Sequence, residues 1–125
     1  MTDELTVLGH DVRGPSRGLE CFEAPEGVSW VTFESDELTS MCPVTGQPDF
    51  SRVEIGYRPA GRCLESKSLK LYLWSFREQG IFCEGLASQI ARDVAEATAS
   101  PHVEVTVRQN VRGGIVTTAR AEVRR

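Results

Sequence analysis

At 125 residues, with 14 basic against 18 acidic side chains and a formal net charge of −4, the chain has one-domain length and lacks the clustered positive charge of a nucleic-acid footprint. Its apolar fraction of 40% and charged fraction of 26% are those of a soluble globular protein, and the acidic balance does not exclude a small anionic cofactor, which needs only a few local cations. No apolar run approaches the ~20 residues that span a bilayer, and Met1-Thr2-Asp3-Glu4-Leu5 lacks the basic and apolar parts of a signal peptide. A cytoplasmic protein with reduced thiols is expected, so its four cysteines are not read first as a disulfide framework.

Residues 1–26, rich in Gly, Pro, Asp and Glu, read as an irregular arm, and residues 27–125 as one domain. The alternation from Val28 to Phe33 predicts a strand. The segment from Thr39 to Asp49 predicts a loop, because Pro43, Gly46 and Pro48 break both helix and strand there. Val53, Ile55 and Tyr57 alternate with Glu54, Gly56 and Arg58, a second strand. From Glu65 the period changes: Leu69, Tyr72, Leu73 and Phe76 predict an amphipathic helix stopping near Gly80. Phe82, Leu86, Ile90 and Val94 predict another, ended by Ser100-Pro101. Val103, Val105 and Val107, the turn Arg112-Gly113-Gly114, and the run Ile115 to Val123 give two last strands. The order ββααββ is an α+β layout, an antiparallel sheet with two helices on one face. Four such strands cannot close a barrel, so their free edges predict a homo-oligomer joined sheet to sheet.

Four segments could carry chemistry. Cys42 sits in the Pro/Gly-framed loop with Asp49 seven residues on. A thiolate could attack an electrophilic carbon, and a protonated Asp49 could quench the anion that forms. The same spacing also fits a packed structural cysteine and a turn-capping carboxylate. Lys67 and Lys70 share a helix face in Glu65-Ser66-Lys67-Ser68-Leu69-Lys70-Leu71-Tyr72, suited to phosphates or simply a solvated face. Glu84, beside Phe82 and Cys83, could read paired N–H donors of a purine-like ring, or merely suit the helix dipole. Arg112 could bind a phosphate, or belong only to a hairpin turn. No metal site is expected, since the cysteines lie about twenty residues apart and the histidines are His10 and His102 alone.

Taken together, Ser40-Met41-Cys42-Pro43-Val44-Thr45-Gly46-Gln47-Pro48-Asp49-Phe50, the Glu65–Tyr72 run, Phe82-Cys83-Glu84 and Arg112-Gly113-Gly114-Ile115 resemble the queuosine-pathway nitrile reductases of the short QueF type. The resemblance covers about Glu34 to Ala119. It implies a tunnelling fold whose subunits assemble into barrels with sites at their interfaces. It also implies NADPH-dependent reduction of 7-cyano-7-deazaguanine to the aminomethyl base through a thioimide on Cys42, with Asp49 as acid. Glu65, Ser66, Phe82, Cys83 and Glu84 would then face the substrate, and Lys67, Ser68, Lys70, Tyr72, Arg112 and Gly113 the NADPH. Many members of the family carry His where Cys83 stands, which leaves proton delivery to Asp49 or water and suggests a Cys42–Cys83 disulfide as a protective lock. The alternatives are an amidinotransferase-like relative that lacks the Lys motif, a zinc-dependent pterin-forming hydrolase of the same fold, and a silent purine-binding protein.

Overall fold

A computed structural model of the chain describes residues 14–125. Six strands and two helices run in the order β1 (Cys21–Glu23), β2 (Val31–Met41), β3 (Pro48–Tyr57), β4 (Arg62–Leu64), α1 (Ser66–Trp74), α2 (Cys83–Thr98), β5 (His102–Arg112) and β6 (Ile115–Arg124). The larger sheet is antiparallel with strand order β2-β3-β5-β6, so the two hairpins join through β3 and β5 across the helical crossover. The expected α+β order is present, with both helices packed on one face.

Alternation decides which face that is. Val53, Ile55 and Tyr57 of β3 and Val103, Val105 and Val107 of β5 are fully buried. In α2 the positions Cys83, Leu86, Ala87, Ile90, Ala91, Val94 and Ala95 form a helical stripe against them. A buried Leu, Ile or Val of this kind contributes about 1.5–3 kcal/mol relative to exposure. The opposite face of the sheet is a ladder of charge: Arg52 bridges Glu34 and Asp36, and Arg120 bridges Glu104 and Glu122.

Several boundaries differ from those the sequence predicts. The first large strand begins later and runs through Glu34-Ser35-Asp36-Glu37, because a register irregularity between Ser35 and Leu38 breaks the alternation that marks a strand. The Cys42 loop shrinks to residues 42–47, since Pro48 opens β3, a position where a strand tolerates a missing N–H. Helix α1 ends at Trp74 rather than near Gly80, and three-residue turns such as Phe76 N–H to Leu73 C=O (3.3 Å) carry the chain onward. Phe82 is half exposed and stands just before α2 rather than on its buried stripe.

Part of the expected irregular arm is ordered into a strand: β1 pairs with β4, Cys21 opposite Leu64. The Glu20 N–H donates to Ser68 Oγ at 3.0 Å, and its carbonyl accepts from Glu65 N–H at 2.8 Å, which pins this segment to the start of α1. No helix among the described residues is long and apolar enough to cross a membrane.

Candidate active site

The β2–β3 hairpin presents Cys42. Its ends are closed by Cys42 N–H to Gln47 C=O (2.8 Å) and Gly46 N–H to Cys42 C=O (2.9 Å), with Gly46 at φ 70°. Within this turn the Thr45 hydroxyl, then the Thr45 and Val44 amides, donate to the Cys42 sulfur, with a smaller contribution from the Arg112 charge. Together they lower its pKa to about 7, so a large share of Cys42 is thiolate near neutral pH. Thr45 is a candidate site residue that sequence reasoning missed. Its signal was present, a hydroxyl three residues after the cysteine in a turn that must fold back on it.

Asp49 lies opposite Ser40 in the β2–β3 register and points into the buried face. Its Oδ1 is paired with the Arg112 guanidinium, which also donates to Pro48 C=O at 3.4 Å. Arg112 therefore reaches Asp49 and influences Cys42 as well. Gly113 and Gly114 make this reach possible, since both take positive φ (57° and 78°) in the tight turn after Arg112.

The connection between the helices brings the third segment near. Met41 N–H donates to Gln79 C=O at 2.9 Å and Ile81 N–H to Met41 C=O at 3.1 Å, a parallel bridge beside the Cys42 turn. Pro43, Gly80, Ile81, Phe82, Glu84 and Gly85 line an open cleft of about 700 Å³, of a size to admit a bicyclic base. Glu84 and the half-exposed Phe82 face solvent there.

Cys83 does not join them. Its thiol is 2% exposed and donates to Val107 C=O at 3.4 Å, on the sheet side of α2. Burial, and then the Glu84 charge, push its pKa up. The helical stripe accounts for this: residue 83 falls one turn before Leu86 and Ala87, on the core face. Cys83 is thus a packing residue, and none of the four cysteines forms a disulfide.

The Glu65–Tyr72 run divides in the same way. Both Glu65 oxygens cap α1, accepting from Lys67 N–H and Ser68 N–H at 2.7 Å each. Ser68 is buried and donates to Glu65 C=O at 2.9 Å. Tyr72 is buried too, its hydroxyl donating to Asp93 Oδ2 at 2.5 Å, and burial before all else raises its pKa. The expected cofactor contacts of Ser68 and Tyr72, and the substrate contact of Glu65, run against this packing: each side chain is engaged inside the subunit. Ser66 and Lys70 line a groove between α1 and β2, with Lys67 partly exposed nearby. That groove shares no lining residue with the Phe82–Glu84 cleft.

Comparison with known proteins places this geometry. The family model described as QueF-like protein matches residues 48–125. The chain is 46% identical over 121 residues to a NADPH-dependent 7-cyano-7-deazaguanine reductase of Frankia casuarinae, covering 97% of both chains. The chain belongs to the QueF-like family. A relative of the same name from Syntrophus aciditrophicus is 47% identical over 123 residues, covering 97% of this chain and 87% of that one. Among solved structures, the apo form of the archaeosine synthase QueF-Like matches with a TM-score of 0.74 and 28% identity, over 78% of this chain and 96% of that one. The shared fold agrees with the tunnelling architecture that the resemblance implied.

Proposed function

We propose that this chain reduces the nitrile of 7-cyano-7-deazaguanine to the aminomethyl base with NADPH, through a covalent thioimide on Cys42, in queuosine biosynthesis. The observation that carries the reading is Cys42 itself, a thiol lowered to about 7 in the turn of the hairpin whose second strand carries the buried Asp49. The thiolate forms a bond to the nitrile carbon, the electron pair of one C–N π bond moves to nitrogen, and a proton from Asp49 neutralises it. Phe82 lies against the base and Glu84 accepts from its N–H edge in the cleft beside Pro43.

The residues present fit NADPH in part. Lys67, Lys70 and Arg112 offer cations to its phosphates, Ser66 lines the same groove as Lys70, and Ser68 and Tyr72 are unavailable. When bound, NADPH supplies the hydrides. Because Lys70 and Glu84 line separate openings of one subunit, a complete site takes its two halves from neighbouring subunits of a homo-oligomer. The substrate is the free base, with no direct nucleic-acid partner, and reducing conditions in the cytoplasm would keep the thiols free.

The test is to mix protein, 7-cyano-7-deazaguanine and NADPH beside a Cys42→Ala control. Two NADPH consumed per nitrile, abolished by the substitution, is the expected result. A Cys42 adduct formed without any NADPH oxidation would overturn the reductase reading and favour group transfer.

A further inference from the structure

The pairing of Arg112 with Asp49 joins two residues to which the reductase chemistry gives separate tasks, a phosphate ligand and a proton donor. The Asp49 side chain is only 6% exposed, whereas that of Arg112 is 42% exposed at the end of β5. Around Asp49 stand the hydroxyls of Ser40, its cross-strand partner, and of Ser51, two residues along the same face; both are buried with no hydrogen-bond partner in the structure. Among the described residues, Arg112 is the cation paired with this carboxylate. A buried carboxylate with one solvent-facing counterion depends on that counterion for its charge: remove the cation and burial favours the neutral acid.

We infer that Arg112 is a positioning residue shared between Asp49 and an anionic group of the cofactor, so that cofactor binding turns Asp49 from a paired carboxylate into the neutral acid the reaction needs. The inference rests on the reductase reading and deepens it. Without cofactor, the guanidinium compensates Asp49 while Cys42 ionises close by. When a phosphate takes the guanidinium, Asp49 binds one proton from solvent. As the Cys42 sulfur bonds to the nitrile carbon, one C–N π pair moves to nitrogen, nitrogen takes the Asp49 proton, and the carboxylate left behind takes a further proton from solvent for each of the two hydrides that NADPH would supply. Cys83 does not compete for this task, because its thiol is turned to the Val107 carbonyl. The charged and titratable groups concerned are Arg112 from β5, Asp49 from β3 and Cys42 from the hairpin turn, with Ser40 and Ser51 as neutral neighbours.

Calorimetric titration of the whole chain with NADP+ at pH 7, in buffers of different ionisation heat, counts protons taken up on binding. Wild type is expected to take up close to one proton per site. Asp49→Asn, which leaves any protonation of the cofactor phosphate in place, should lose that proton, and so should Arg112→Gln, whose Asp49 is already neutral. Arg112→Lys, which keeps a cation, should restore part of the uptake. Binding to wild type without the uptake, or an uptake unchanged in Asp49→Asn, would overturn the inference and leave the reductase reading intact. No NADP+ binding at all would remove both.

Discussion

The turn around Cys42 sets the acidity of its thiol. The Thr45 hydroxyl is the largest of the groups holding the thiolate, so Thr45→Val should raise the pKa from about 7 towards the ordinary thiol value. Thiolate is lost as pH falls below the pKa, so alkylation of Cys42 by iodoacetamide in wild type should decline steeply below neutrality and plateau above about pH 8. In Thr45→Val the same curve should move to higher pH, and a midpoint near pH 8 would slow alkylation at pH 7 roughly fivefold. An unmoved curve would assign the activation to the amides alone. Cys42, Asp49 and Glu84 were each legible as candidates from residue type and neighbours. Cys83 was not, because adjacent residues at a helix start face opposite sides, and only packing against Val107 shows which one turns inward.

At the scale of elements, the start of α1 is the most tightly tied. Glu65 satisfies two of the orphan amides of the helix, and the β1 segment bonds to the same turn through Glu20. Replacing Glu65 with Ala should cost about 1–2 kcal/mol, measured by urea unfolding, as the loss of a helix cap does. Glu65→Gln, which keeps one acceptor oxygen, should cost less. If Glu65→Ala abolished substrate binding without changing stability, the substrate contact implied by its motif would stand instead. The end of α2 offers the opposite case. Ala99 takes φ 57°, a left-handed conformation that costs a side-chain-bearing residue roughly 1 kcal/mol. Ala99→Gly should therefore raise stability by about 0.5–1 kcal/mol, less the chain entropy that glycine adds to the unfolded state.

At the scale of the whole molecule, one end of the sheet is unusually apolar for a surface. Val44, Phe50, Phe82, Val111, Ile115 and Val116 are all exposed, and they come from the two hairpin ends and the start of α2. The bond from Arg112 to Pro48 places both hairpin tips at that same end, around Cys42. Cover by a neighbouring subunit, as proposed above, would bury the patch and bring a groove like the one that holds Lys70 to the site. Native mass spectrometry should therefore find an oligomer at micromolar concentration, and Val111→Glu with Ile115→Glu should move the population to smaller species with loss of turnover. A fully active monomer would contradict the shared site.

The sequence by itself determined the order of the four long strands and two helices and the buried face, and it marked the candidate segments, because hydrophobic period and turn chemistry are local properties. Val103, Val105 and Val107 or Leu86, Ile90 and Val94 need no partner to reveal their period. Three matters required the tertiary structure. A polar edge strand with an irregular register hides its pairing until the neighbouring strand is in place, as at Ser35 to Leu38. Within one motif only packing separates side chains committed to the interior, Glu65, Ser68 and Tyr72, from Ser66 and Lys70, which line a groove. The meeting of Arg112 with Asp49 spans 63 positions and is created by β3 pairing with β5, a contact that neither residue's neighbours in sequence record.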